Sequence, residues 1–156
     1  MLQAALIAWI ALCALQDARS RRIPNPLIGV GVLLALLPLL LWQASLTGAP
    51  WRQAVLAVLI ALALSLPGYC LGRMGAGDVK LLAVIGLASD PTHVLAGVLG
   101  AGAGMALWAL LAPPLFEQFP QPLQDRLHQF APSATRAWPY APFLLPGILV
   151  ASLTLQ

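Results

Sequence analysis

The chain has 156 residues, of which 60% are hydrophobic and 8% charged; eight Lys and Arg against five Asp and Glu give a net charge of +3. A soluble domain carries about a quarter charged residues, so this composition excludes a water-solvated surface and makes the lipid bilayer the expected solvent. Mean hydropathy is +0.87, and the small positive charge is accounted for by topology, with no nucleic-acid partner called for.

Charged side chains are missing from 1–16, 23–51, 53–72, 91–116 and 137–156. A helix crossing the hydrocarbon needs about 20 apolar residues at ~1.5 Å rise each. These runs and the shorter stretch 79–89 predict helices over about 2–16, 25–43, 53–71, 78–89, 92–112 and 139–155. The expected fold is all-α: a polytopic transmembrane bundle of about six helices forming a single domain over 1–156.

In chain order, Met1–Leu15 lacks a basic start and a small-residue cleavage site before Asp17, so it reads as a retained first helix. Cys13 and Cys70 form no CxxC pair, which suggests neither a disulfide framework nor a zinc site. Pro24 and Pro26 mark the start of the second helix, and Asp90-Pro91 the start of the fifth. Ser45–Pro50 is a polar connection. Gly97, Gly100 and Gly104 form a small-residue face suited to close helix packing in lipid. The connection 113–138 places Leu123, Leu127 and Phe130 at helical spacing among Gln124, Asp125, Arg126 and His128. It is expected to hold a short amphipathic helix at the cytoplasmic interface.

Arg19, Arg21, Arg22, Arg73, Lys80, Arg126 and Arg136 fall on one side of a six-span chain, and Arg52 alone on the other. The positive-inside rule then puts 17–24, 72–80 and 113–138 in the cytoplasm and both termini outside.

Of the five acids, Glu117 and Asp125 belong to the 113–138 connection, and Asp90 has the position of an N-cap. Asp17 and Asp78 stand apart. Counting inward from Leu2 and from Asp90 at ~1.5 Å per residue places them about 22 and 18 Å along their helices. In a core ~30 Å thick, both carboxyls lie some 8–12 Å short of the cytoplasmic boundary. Ionisable groups at such depth face a bundle interior or a water-filled cavity. Gly75-Ala76-Gly77 disfavours helix, so Arg73–Asp78 is expected as a sunken loop, its bare backbone open to an extended peptide. Two carboxyls sharing a low-dielectric site hold one proton between them, the working unit of aspartic proteases. That chemistry needs no metal and no cofactor.

Three motifs extend this reading. Asp17 followed by Ile23-Pro24-Asn25 resembles the first-aspartate motif of type IV prepilin peptidases. Gly75-Ala76-Gly77-Asp78-Val79-Lys80 resembles the GxGD segment of the same family. Pro139-Tyr140-Ala141-Pro142, with Gly147 beyond, resembles its C-terminal stretch. The resemblance implies an endopeptidase of the bacterial inner membrane that cuts the short basic leader from prepilin-like membrane proteins at the cytoplasmic face. It makes Asp17 and Asp78 the catalytic pair. Ile23, Pro24, Asn25, Gly75, Gly77, Lys80, Pro139 and Tyr140 are then motif residues near the substrate; Lys80 reads equally as a topology signal. Larger members carry a cytoplasmic CxxC domain between the first two helices and also N-methylate. Here about seven residues join those helices, so cutting without methylation is expected, as in the small branch serving tight-adherence (Flp-type) pili. Two other classes accommodate the same acids: a proton-coupled transporter, and a non-catalytic pilus-assembly subunit in which they pair with Arg19 or Arg73.

Overall fold

A chain in lipid must satisfy its backbone polar groups internally, so uncharged runs close into helices. The computed structural model describes residues 2–116, 118, 120 and 139–154. Its described residues form six helices and no strand: α1 Leu2–Ser20, α2 Asn25–Trp42, α3 Trp51–Cys70, α4 Ala76–Ala88, α5 Pro91–Phe116 and α6 Ala141–Thr154. The architecture is the expected all-α bundle. Four helices, α1, α2, α3 and α5, are long and apolar enough to cross a membrane. With 13 and 14 residues, α4 and α6 reach only about 20 Å. The amphipathic helix expected around 123–130 lies outside the described residues.

Three boundaries depart from expectation in ways that matter for the site. Helix α1 continues one turn beyond residue 16, carrying Asp17 inside it, because a charged side chain does not itself break a helix. The Arg21 N–H closes that turn on the Asp17 carbonyl at 2.8 Å, and Arg21 then turns left-handed at φ 51°. Helix α4 starts at Ala76, so Ala76 and Gly77 are helical and the sunken loop ends at Gly75. Glycine is tolerated there because first-turn N–H groups lack intrahelical partners in any case, and the Asp78 carboxylate accepts the Gly75 N–H at 3.2 Å. Helix α5 runs on through Pro113 and Pro114 to Phe116.

The bundle pairs α6 with α5 and α1, and α4 with α3 and α2, while α3 also meets α5. Small residues let these helices approach. A Cβ on Gly86 of α4 would lie 2.8 Å from the Ala57 and Val58 backbone of α3, and one on Gly100 of α5 would lie 2.6 Å from Gly147 Cα of α6. The Gly97, Gly100 and Gly104 face is turned to Ile148, Gly147 and Phe143 of α6, which bears out the packing role read from its spacing. Between α1 and α2, the Trp9 indole lies against Gly31 and donates to the Leu27 carbonyl at 2.8 Å. The outward faces are apolar: Leu40, Leu110 and Leu153 are 74%, 75% and 75% exposed, as a lipid solvent requires.

At the end of the bundle away from Asp17 and Asp78, Asp90 caps α5 as expected, its Oδ1 accepting the N–H groups of Thr92 at 2.9 Å and His93 at 3.2 Å. Its Oδ2 accepts from His93 Nδ1 at 2.6 Å and from the Thr47 hydroxyl at 3.2 Å, tying the α2–α3 connection to α5. Burial opposes the charge on Asp90. The bonds and charge of His93 and the backbone N–H of His93 and Thr92 outweigh burial, and hold the carboxyl at about 2.

Candidate active site

Asp17 and Asp78 come from helices far apart in sequence and line one cavity of about 310 Å³. The rest of its wall is Arg21, Arg22 and Ile23 from the α1–α2 connection, and Gly75, Ala76 and Gly77 from the start of α4. Asp17 is 5% exposed; Asp78 is half-buried. Each carboxylate lies within range of the other's charge.

Each acid is held by backbone donors. Asp17 Oδ2 accepts the Ala141 N–H at 3.0 Å across a buried contact, and the Tyr140 N–H also bonds the carboxylate. The Tyr140 carbonyl accepts the first N–H groups of α6, from Phe143 at 3.1 Å and Leu144 at 3.3 Å. Tyr140 therefore occupies the N-cap position, and Ala141 is the first residue inside the helix. Asp17 thus supplies, from α1, an acceptor for N–H groups at the start of α6 that have no partner within the helix. Asp78, at the third position of α4, reaches back one turn to the Gly75 N–H.

The remaining motif residues surround this pair. Ile23 closes the cavity from the α2 side, its Cβ 3.7 Å from where a Gly77 Cβ would stand. Asn25 Oδ1, at the first turn of α2, accepts from Lys80 Nζ of α4 at 3.0 Å. The bond joins the Ile-Pro-Asn motif to the GxGD segment. Pro24 is the N-cap residue of α2, exposed and outside the cavity wall. Pro139 is buried, and the half-buried Tyr140 places its phenol within range of the Asp78 charge.

Three contributors escaped the sequence reading: Ala141, which acts through its N–H, and Arg21 and Arg22, which wall the cavity. Arg21 is four residues beyond Asp17, and its charge reaches that carboxylate. The i,i+4 spacing was the available signal. No group of three or more His, Cys, Asp or Glu able to hold a metal occurs among the described residues.

The sequence model of the type IV leader peptidase family matches residues 4–110. The chain belongs to that family. The match contains Asp17, Ile23-Pro24-Asn25 and Gly75–Lys80; the Pro139–Pro142 stretch lies beyond it. Membership implies a peptidase. No curated protein and no solved structure matches the chain significantly.

Proposed function

We propose that the chain is a membrane-embedded aspartyl endopeptidase that removes the leader of prepilin-like membrane proteins, with Asp17 and Asp78 as its catalytic pair. The observation that carries this is the shared cavity: two carboxyls from α1 and α4 face one space whose wall includes the side-chain-free backbone of Gly75 and Gly77. Glycine allows a substrate strand to lie against the backbone, bringing a scissile carbonyl to the acids. One carboxylate takes a proton from water as the oxygen attacks that carbonyl. The other, protonated, gives its proton to the carbonyl oxygen, and collapse of the gem-diol with protonation of the amine breaks the C–N bond.

Both aspartates also act as helix caps, and capping alone would keep them in place. Asparagine separates the two roles. It keeps a side-chain oxygen able to accept the same backbone N–H groups but carries no charge and no transferable carboxyl proton.

In this reading the enzyme lies in the bacterial inner membrane with the cavity toward the cytoplasm, as the distribution of seven basic residues against Arg52 supports. The short α1–α2 connection, residues 21–24, leaves no room for an inserted CxxC domain. This supports cutting without N-methylation and kinship with the small Flp-type branch.

The test is co-expression with a candidate prepilin-like substrate, following leader removal by electrophoretic shift. Asp17→Asn and Asp78→Asn each insert normally and abolish cleavage, whereas Asp90→Asn cleaves as wild type. Normal processing by either of the first two would refute the dyad; a proton relay or an assembly role predicts no leader removal by the wild-type chain either.

A further inference from the structure

The two acids are held unequally, and the inequality assigns their roles. Asp17 is almost fully buried and accepts backbone N–H groups from Ala141, at 3.0 Å, and Tyr140. Both lie at the amino end of α6, where the aligned peptide dipoles present partial positive charge. The Arg21 guanidinium adds a full positive charge from just beyond the end of α1. Asp78 accepts one N–H, from Gly75 at 3.2 Å. Hydrogen bonds and cations aimed at a carboxylate favour its charged form, and a buried anion persists only with such compensation.

The ionisable groups facing Asp17 are Cys13 from α1, Arg21 just beyond the end of α1 and Asp78 from α4, with Arg22 on the cavity wall. The cation and the peptide donors converge on Asp17. Asp78 faces the negative charge of Asp17 and the Tyr140 phenol.

We propose that Tyr140–Ala141 is a positioning element that holds Asp17 as the anionic, water-activating member of the pair and leaves the shared proton on Asp78. The assignment rests on the dyad reading above. In the reaction, Asp17 accepts a proton from the attacking water while Asp78 donates its own to the carbonyl oxygen, giving a neutral gem-diol. Asp17 then passes its proton to the leaving nitrogen as the C–N bond breaks, and Asp78 recovers a proton from the gem-diol hydroxyl. One water is consumed and both acids return to their starting states. The Pro-Tyr-Ala-Pro stretch would thereby act through its main chain.

Ala141→Pro tests this, since proline lacks the N–H yet is well accommodated at the first position of a helix. Ala141→Gly keeps the N–H and controls for the methyl group. With purified enzyme in lipid nanodiscs and a peptide substrate comprising a basic leader and an apolar helix, kcat is followed against pH. The acid limb for Ala141→Pro moves about one pH unit higher than that for Ala141→Gly, roughly a tenfold loss on the acid side. Coincident limbs would overturn the assignment.

Should Ala141→Pro fail to fold, infrared titration of the carboxyl band decides. Asp17 in the Asp78→Asn chain ionises at lower pH than Asp78 in the Asp17→Asn chain. The reverse order would overturn the assignment. Loss of cleavage in both asparagine variants together with coincident limbs would leave the dyad standing and remove only the division of labour.

Discussion

Replacing Gly86 by alanine should loosen the α3–α4 pair and, through it, the cavity. The new Cβ would stand 2.8 Å from Ala57 C and Val58 N and 2.9 Å from Ala57 O, all backbone atoms of α3. Ordinary contact between such atoms lies near 3.5–4.0 Å, so the helices must separate by about 1 Å. Overpacking of this kind costs ~1–3 kcal/mol, offset by roughly 1 kcal/mol because alanine is the better helix former. Gly102 of α5 provides the comparison, since nothing lies within 4 Å of a Cβ built there. Gly102→Ala should register the propensity gain alone. The two variants, identical in composition, should therefore differ by ~1–3 kcal/mol in unfolding free energy, Gly86→Ala being the weaker. Equilibrium unfolding in mixed micelles measures this. A difference below about 0.5 kcal/mol, or the opposite order, would refute the packing argument. Gly86 stands eight residues from Asp78, about 12 Å along α4. A displacement of part of an ångström at the carboxyl should lower leader cleavage by about 10–100-fold and leave Gly102→Ala near wild type.

Two further expectations concern side chains tying elements together. Lys80 donates to Asn25 across the α2–α4 contact, so Lys80→Met should lower cleavage about tenfold while costing under ~1 kcal/mol of stability, as exposed bonds do. Lys80→Arg should restore most of the rate. Adding Asn25→Ala to Lys80→Met should do little more damage, and additive losses in that double-mutant cycle would show that the bond does not matter. Asp90 has its carboxyl lowered from 3.8 to about 2 in the folded chain, so its contribution is present above about pH 4. It is lost as pH falls through 2, and amounts to at most ~2 kcal/mol. Asp90→Asn keeps the cap but should flatten the thermal stability profile between pH 4 and 2. A profile parallel to wild type would show that Thr47 and His93 add nothing to the charge.

The helices were legible because lipid imposes a harsh filter on charge. Uncharged runs marked α2, α3 and α5 to within a few residues, and Asp90-Pro91 marked a helix start by local bonding alone. Ends governed by tertiary contacts were harder to read. The extra turn of α1 that carries Asp17 depends on how Arg21 folds back, and the start of α4 at Ala76 depends on Asp78 meeting the Gly75 N–H. At the cavity, the pairing of Asp17 with Asp78 could be argued from depth, because helix rise is uniform. Nothing in the identity of Ala141 marks it as the donor to Asp17, since a main-chain N–H is common to every residue except proline. Its position was visible only as a helix start flanked by Pro139 and Pro142.

The bond between Asp17 and Ala141 also sets when the cavity acquires its full set of backbone donors. Its partners are 124 residues apart, and at about 5–20 residues per second of synthesis that interval lasts roughly 6–25 s. For that time Asp17 is without the donors that hold it, and Asp78 is itself made about half-way through the interval. A nascent chain thus carries both acids before the amino end of α6, with the N–H groups that Asp17 accepts, has been made.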